Sequence, residues 1–310
     1  MAPITGSQRA SKGFEQRPEI LQDHANQQPT METIRTAITA AISNYHDFNP
    51  ATIDELAEEP SPLEFMRYVS RNRPFVVRRA AANWTAVKKW DAEYLREKMG
   101  REEVQVTVTP LGNADAVVED TNGQLLFVQP YETTEPFNEF LSYVQADSAC
   151  PLEQREGRNV KYAQTQNDNL HTEYSTLLPD IPSSIPFARI ALDQEADAIN
   201  LWIGNARSTT ALHKDNYENV YVQIRGQKHF VLLSPTEIPC VNEQPLPQAH
   251  YAPNGEKGEL VIERDLEAED LPFATWDPDA PTERMTRWSG LARPLRCTLG
   301  EGDVLYLPAM

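Results

Sequence analysis

At 310 residues the chain is long enough to bury a large core, and its length suits one or two domains. Its 46 acidic side chains outnumber 28 basic ones, a formal charge of −18, which argues against nucleic acid as a general partner because phosphate binding needs clustered Lys and Arg. Cys150, Cys240 and Cys297 form neither a zinc spacing nor a disulfide framework, and no apolar run is long enough for a membrane span or a secretory leader, so the expectation is a soluble protein of the cytoplasm, with the nucleus open.

Residues 1–30, rich in Gln, Ser, Arg and Pro, predict a disordered N-terminal extension. From Met31 the spacing of Ile34, Ala37, Ile38, Ala41 and Ile42 predicts a helical face ending near Tyr45. Ser61-Pro62-Leu63-Glu64 reads as a helix start, with Phe65, Met66, Tyr68 and Val69 as its buried side. Arg73–Arg78 reads as a strand, Trp90–Met99 as a helix, and Val104–Val108 and Gln124–Val128 as strands. Glu135–Val144 predicts a helix and Val160–Gln164 a strand. Further on, Ala198–Ile203, Val220–Ile224 and His229–Leu233 read as short strands, the last two joined by a tight hairpin at Arg225-Gly226-Gln227. A second hairpin is expected from Leu295–Leu299 to Val304–Leu307. The Pro- and acid-rich segment between them, 236–290, is too long for an ordinary connection and reads as a lid or a docking surface. Helices followed by many short strands predict a mainly β (α+β) fold. In it, a helical and strand region over 31–160 packs on a double-stranded β-helix, a cupin-type jelly roll, over 161–310.

Within that half, His213-Lys214-Asp215 offers an imidazole and a carboxylate two residues apart, which on a strand project to one face and can meet one ion. Two His and one carboxylate on one face of an octahedron form the site of Fe(II) oxygenases. Alone the spacing is weak, since about 0.3 such matches arise by chance in a chain like this. His171-Thr172-Glu173 has the same spacing but sits in a polar run, as an exposed loop would, and His24, His46, His229 and His250 read as surface or packing residues. After Asp215, Tyr217, Asn219, Tyr221 and Gln223 alternate with aliphatic Val220, Val222 and Ile224, so that the polar set would line a pocket. Lys228 lies just past the turn on a neighbouring strand, a compact donor for a carboxylate; Thr210 and Tyr162 could add hydroxyls. No Gly-x-Ser-x-Gly elbow supports a serine hydrolase.

Lys161-Tyr162-Ala163-Gln164-Thr165-Gln166, Asn200–Gly204, Leu212-His213-Lys214-Asp215-Asn216-Tyr217-Glu218-Asn219, Arg296-Cys297-Thr298 and Leu305-Tyr306-Leu307-Pro308-Ala309 together resemble the JmjC oxygenases, and within them a small lysyl-hydroxylase branch. The resemblance runs from about Ile53 to Met310 and implies a protein hydroxylase that uses Fe(II), 2-oxoglutarate and molecular oxygen on a lysine-containing protein segment. By position it makes His213 and Asp215 metal ligands. Tyr162, Thr210 and Lys228 would hold the distal carboxylate of 2-oxoglutarate, with Asn219 and Trp202 lining the pocket. It places a second metal histidine and a last barrel strand beyond Leu-Pro-Ala, where this chain has none left, so weak or absent activity is expected of these 310 residues. A non-catalytic cupin-like binding module and a histone-directed demethylase or protease are the rival readings, and a homodimer is open.

Overall fold

The computed structural model describes residues 29–151, 157–166, 168–255 and 258–310, so the expected disordered extension lies outside the described residues up to position 28. The N-terminal half interleaves helices and strands: α1 (Met31–Phe48), β1 (Asp54–Leu56), α2 (Pro62–Arg71), β2 (Phe75–Val77), α3 (Thr85–Lys89), α4 (Ala92–Met99), β3 (Glu103–Thr109), β4 (Asn113–Ala114), β5 (Ala116–Glu119), β6 (Leu125–Gln129), β7 (Tyr131–Pro136), α5 (Phe137–Ala149) and β8 (Val160–Tyr162). After α6 (Pro186–Leu192) the chain is built of strands: β9 (Thr209–Thr210), β10 (Asn219–Val222), β11 (Lys228–Leu232), β12 (Glu243–Leu246), β13 (Gln248–Asn254), β14 (Glu259–Arg264), β15 (Leu271–Ala274), β16 (Leu295–Leu299) and β17 (Val304–Leu307).

Local chemistry explains the helix ends. The Ser61 hydroxyl accepts from the Glu64 N–H while the Glu64 carboxylate accepts from the Ser61 N–H, a reciprocal cap with Pro62 in the first turn. Asn72 closes the same helix in the left-handed region at φ 50°. Asp91 Oδ1 caps α4 by accepting from Tyr94 N at 2.8 Å. Phe65 of α2 then enters an aromatic cluster with Phe75, Phe187 and Tyr306, ring centroids 4.8–6.3 Å apart and every member buried. Met66, expected on the buried side, is 37% exposed, because α2 turns only its Phe65 edge inward against β2, β17 and α6.

Two expectations about strands are corrected. Ala198–Ile203 forms no strand; it keeps a single bridge, Ile203 to Ala163. Side chains take the place of the ladder, with Asp168 Oδ1 accepting from Ile199 N at 2.7 Å and Asn169 bonding Leu201 through both its amide atoms. Nor do β10 and β11 form a hairpin, although Gly226 does make the turn at φ 68°. Instead β10 pairs antiparallel with β17 and β11 with β16. The two turns meet each other: Gln223 N donates to Asp303 O at 3.0 Å and Gly302 N to Gln223 O at 2.7 Å. The result is one long antiparallel ribbon bent at a double corner, the construction of a jelly roll, so the hairpin expected from Leu295–Leu299 to Val304–Leu307 does not form either and the strands of both become its legs.

The ribbon joins β2 and β1 to complete a sheet of order β1-β2-β17-β10. A second wall, β7-β3-β8, carries Tyr162, with Val104, Val106 and Val108 facing one way and Gln105, Thr107 and Thr109 the other. Much of the 236–290 segment is strand as well. β13 hairpins with β14 and runs parallel to β6, extending the small sheet to β14-β13-β6-β5, while β12 pairs with β15.

The corner is held by Asp303, whose carboxylate accepts from Gly300 N, Arg79 N and the Arg78 guanidinium, the last at 2.7 Å. Burial alone would raise its pKa, but these three donors more than offset that and hold it below the usual carboxylate range. We expect Asp303→Asn to cost about 2–4 kcal/mol in urea unfolding near pH 7. Because the folded pKa is the lower one, the gap between wild type and variant should be present above the ordinary aspartate range and shrink as pH falls through the folded value.

Candidate functional site

His213 and Asp215 lie between β9 and β10 in an irregular segment, not on the strand expected for them, yet their side chains converge. His213 Nε2 stands 3.7 Å from Asp215 Oδ2, and both side chains are more than 40% exposed. His213 Nδ1 lies 2.8 Å from the carbonyl oxygen of Ala211. A carbonyl only accepts, so Nδ1 carries a hydrogen, and in the neutral ring Nε2 is the nitrogen with its lone pair on the aspartate side, the tautomer a metal requires. Lys214, between them, points the other way and donates to Glu243 of β12 at 2.8 Å. The donor set thus fits two positions of a divalent-metal site. Among the described residues no group of three His, Cys, Asp or Glu side chains stands together as a full metal cluster. The backbone N–H of Met310 donates to the Asp215 carbonyl at 2.6 Å, so Leu307–Met310 runs directly beside the pair. Asn72 Nδ2, donating to Ala309 O at 2.7 Å, and Glu218, accepting from the Tyr306 hydroxyl and from Ala309 N, hold that run in place.

Three residues before His213, Thr210 begins a second constellation, within about 11 Å of the pair by chain length alone. Lys228 Nζ donates to the Tyr162 hydroxyl at 3.2 Å and lies 5.5 Å from the ring centre. Thr210 bonds the same hydroxyl, which lowers the Tyr162 pKa, but burial dominates and pushes it up to about 12. Burial likewise lowers the pKa of Lys228, and among the described residues no carboxylate is bonded to its ammonium. A half-buried ammonium at the Tyr162 hydroxyl, with no carboxylate bonded to it among the described residues, is suited to receive a carboxylate. Tyr162, Thr210 and Lys228 are therefore brought together, from β8, β9 and β11.

Trp202, expected to line the pocket, is partly exposed and stacks on Tyr221 with centroids 6.0 Å apart and planes 20° from parallel, and Tyr221 meets Phe230 edge-on. Asn219 is half-buried at the start of β10, and its amide turns back to the Tyr217 carbonyl at 3.2 Å, away from the lysine. The other histidines are accounted for. His171 binds Asp168 at 2.8 Å while Glu173 accepts from Gln105 N and Thr165, so that pair is split between two jobs. His46, expected at the surface or in packing, is buried 3.3 Å from Glu237, lining a separate small cavity with Arg73 and Arg293. His229 meets Thr298 and His250 meets Asp265, while His24 lies outside the described residues.

Two residues that sequence reasoning missed belong here. Asp115, at φ 53° between β4 and β5, is brought opposite the Thr210–His213 segment by the pairing of β4 with β9. Burial raises its pKa, His213 pulls it down and Glu132 pushes it up. No spacing rule points to it, because its place depends on a two-residue parallel bridge. Gly204 is the other. A Cβ there would lie 2.6 Å from Ser208 Oγ and 2.7 Å from the Tyr162 ring. We expect Gly204→Ala to shift Tyr162 off Lys228, costing about 1–3 kcal/mol in denaturant unfolding and weakening binding of a dicarboxylate ligand.

Comparison with known proteins adds kinship to this geometry. The family model of a cupin-like domain matches residues 60–310. The chain is 37% identical over 262 residues to the bifunctional peptidase and (3S)-lysyl hydroxylase JMJD7 of Homo sapiens, covering 84% of this chain and 79% of that one. It is 36% identical over 268 residues to the lysine-specific demethylase JMJ32 of Arabidopsis thaliana, covering 83% and 75%. To the JmjC domain-containing protein E of Dictyostelium discoideum it is 34% identical over 275 residues, covering 83% and 76%.

Proposed function

The chain belongs to the cupin-like domain family, in its JmjC branch, and on that footing we propose that it is an Fe(II)- and 2-oxoglutarate-dependent oxygenase that hydroxylates a lysyl side chain of a protein. One observation carries the reading: a half-buried lysine with no carboxylate bonded to it among the described residues, held at the Tyr162 hydroxyl that Thr210 also bonds, with Thr210 three residues before the His213–Asp215 pair. Iron, when bound, supplies oxygen activation coupled to decarboxylation of 2-oxoglutarate. This chain's residues do the rest. Lys228 takes the distal carboxylate, and Tyr162 and Thr210 donate to its remaining lone pairs. The Ala211 carbonyl, by accepting from Nδ1, leaves Nε2 of His213 as the nitrogen that would meet the metal, and Trp202 stacked on Tyr221 would line one side. A relative named as a lysyl hydroxylase and another named as a lysine-specific demethylase both support lysine as the side chain acted on. Placement in the cytoplasm or nucleus is part of the same reading and rests on the free thiols of Cys240 and Cys297.

A second reading is a non-catalytic module that binds 2-oxoglutarate or a partner. The observation favouring it is that the described residues offer the metal two side-chain ligands where a facial site takes three. Anaerobic titration with Fe(II) and 2-oxoglutarate separates them. The oxygenase should develop a visible charge-transfer band that His213→Ala abolishes. No band, with 2-oxoglutarate still bound through Lys228, would leave the module ahead, and a band unaffected by His213→Ala would refute the ligand assignment.

Lys228 also predicts a trade between stability and binding. Its folded pKa is depressed, so the unfolded chain holds the proton more tightly, and the buried ammonium destabilises the fold at neutral pH. We expect Lys228→Met to raise Tm at pH 7 and to abolish stabilisation by 2-oxoglutarate. The gain in Tm should narrow as pH rises toward the ordinary lysine range. A variant less stable than wild type at pH 7 would show that the ammonium is compensated.

A further inference from the structure

The loop from Gly204 to Thr209 leads into Thr210 and backs the ring of Tyr162, yet its own strands hold it weakly. β9 is two residues long and pairs with the two-residue β4. The strongest restraint comes from a helix 58–60 residues earlier in the chain. Asp147, in the last turn of α5, is 2% exposed, and both its oxygens are committed to this loop. Oδ2 accepts from Asn205 Nδ2 at 2.8 Å and Oδ1 from the Arg207 guanidinium at 3.2 Å. The loop closes on itself around these two residues. Asn205 Oδ1 accepts from Arg207 N at 2.9 Å, Ser208 N donates to Asn205 O at 3.0 Å, and Arg207 donates again to Arg158 O at 2.7 Å. Gly112 completes the fit: a Cβ there would lie 2.0 Å from Arg207 O, and its own carbonyl accepts from Thr209 N at 2.8 Å.

We propose that Asp147 is a positioning residue for the cosubstrate anchor. Through Asn205 and Arg207 it sets the loop that carries Thr210 and supports Tyr162, and so governs affinity for the distal carboxylate of 2-oxoglutarate without touching it. This rests on the reading of Tyr162, Thr210 and Lys228 as that anchor. The physical case is one of cost. Desolvating a carboxylate at a helix end is expensive, and an apolar side chain would pack there more cheaply. Its two donors both come from the loop rather than from α5, so the charge organises the loop. Holding the loop before the ligand arrives removes an ordering cost from binding, and small displacements of such supports are felt strongly at the site.

Asp147→Asn in the full chain is the test, because it keeps the shape and the bond to Arg207 while setting one N–H against that of Asn205. Three quantities are read: the Kd for 2-oxoglutarate in the presence of Mn(II) by calorimetry, the Kd for Mn(II) alone by electron paramagnetic resonance, and Tm. We expect the 2-oxoglutarate Kd to rise about tenfold with the Mn(II) Kd unchanged. The exchange variant Asp147→Asn with Asn205→Asp, which restores a donor facing an acceptor, should recover most of the affinity. An unchanged 2-oxoglutarate Kd in the single variant would overturn the proposal. So would parallel weakening of both ligands that follows Tm, since that signals general loosening. If wild-type protein binds no 2-oxoglutarate, the anchor reading itself fails, whereas wild-type binding with an indifferent variant refutes only the role of Asp147.

Discussion

The antiparallel ribbon formed by Asn219–Leu232 and Leu295–Leu307 changes direction at a double corner, where Gln223 exchanges hydrogen bonds with Gly302 and Asp303. Everything in the site depends on that bend. Residues before it (Asn219, Tyr221) and after it (Lys228, Phe230) would lie along one flat surface if the ribbon ran straight. Bent, it brings Lys228 of β11 to Tyr162 of β8 and lets Phe230 meet Tyr221 across the fold. Pairing each leg with its distant counterpart also removes the short hairpin that local turn chemistry favours. The ribbon wins because it gives both legs full ladders and places Val304, Leu305 and Tyr306 in the buried aromatic and aliphatic layers.

Within that frame the two constellations have opposite electrostatics. At Lys228 a positive charge is half-buried against the Tyr162 hydroxyl and ring face, which cushion the ammonium without neutralising it. At the His213–Asp215 pair the carboxylate stands open to solvent. Asp215 and His213 are well exposed, and Asp115 stands half-buried nearby under the influence of Glu132.

The extension between β11 and β16 reaches this arrangement through Lys214, which lies between His213 and Asp215 and donates to Glu243 at the start of β12. From there the chain builds β12–β15 and adds the β13–β14 hairpin to the β5–β6 pair, so a segment that looks like a long excursion is knitted into the N-terminal half. The turn of the backbone that sends Lys214 to Glu243 is the same one that leaves His213 and Asp215 facing each other.

The sequence by itself determined a great deal. The helix start at Ser61, alternation through Val104–Val108, and the His213-Lys214-Asp215 string with Lys228 downstream were all readable, because each is a short-range pattern whose physical meaning survives in any fold that contains it. Tertiary structure decided what those patterns could not: which strand each leg of the ribbon pairs with, that Ala198–Ile203 is held by Asp168 and Asn169 side chains instead of a ladder, and that Asp115, Gly204 and Asp147 belong to the site. These are consequences of contacts between residues 31 to 96 positions apart. Periodicity and spacing record only what one segment prefers, whereas pairing partners and close approaches are settled by the competition among all segments for the same buried space.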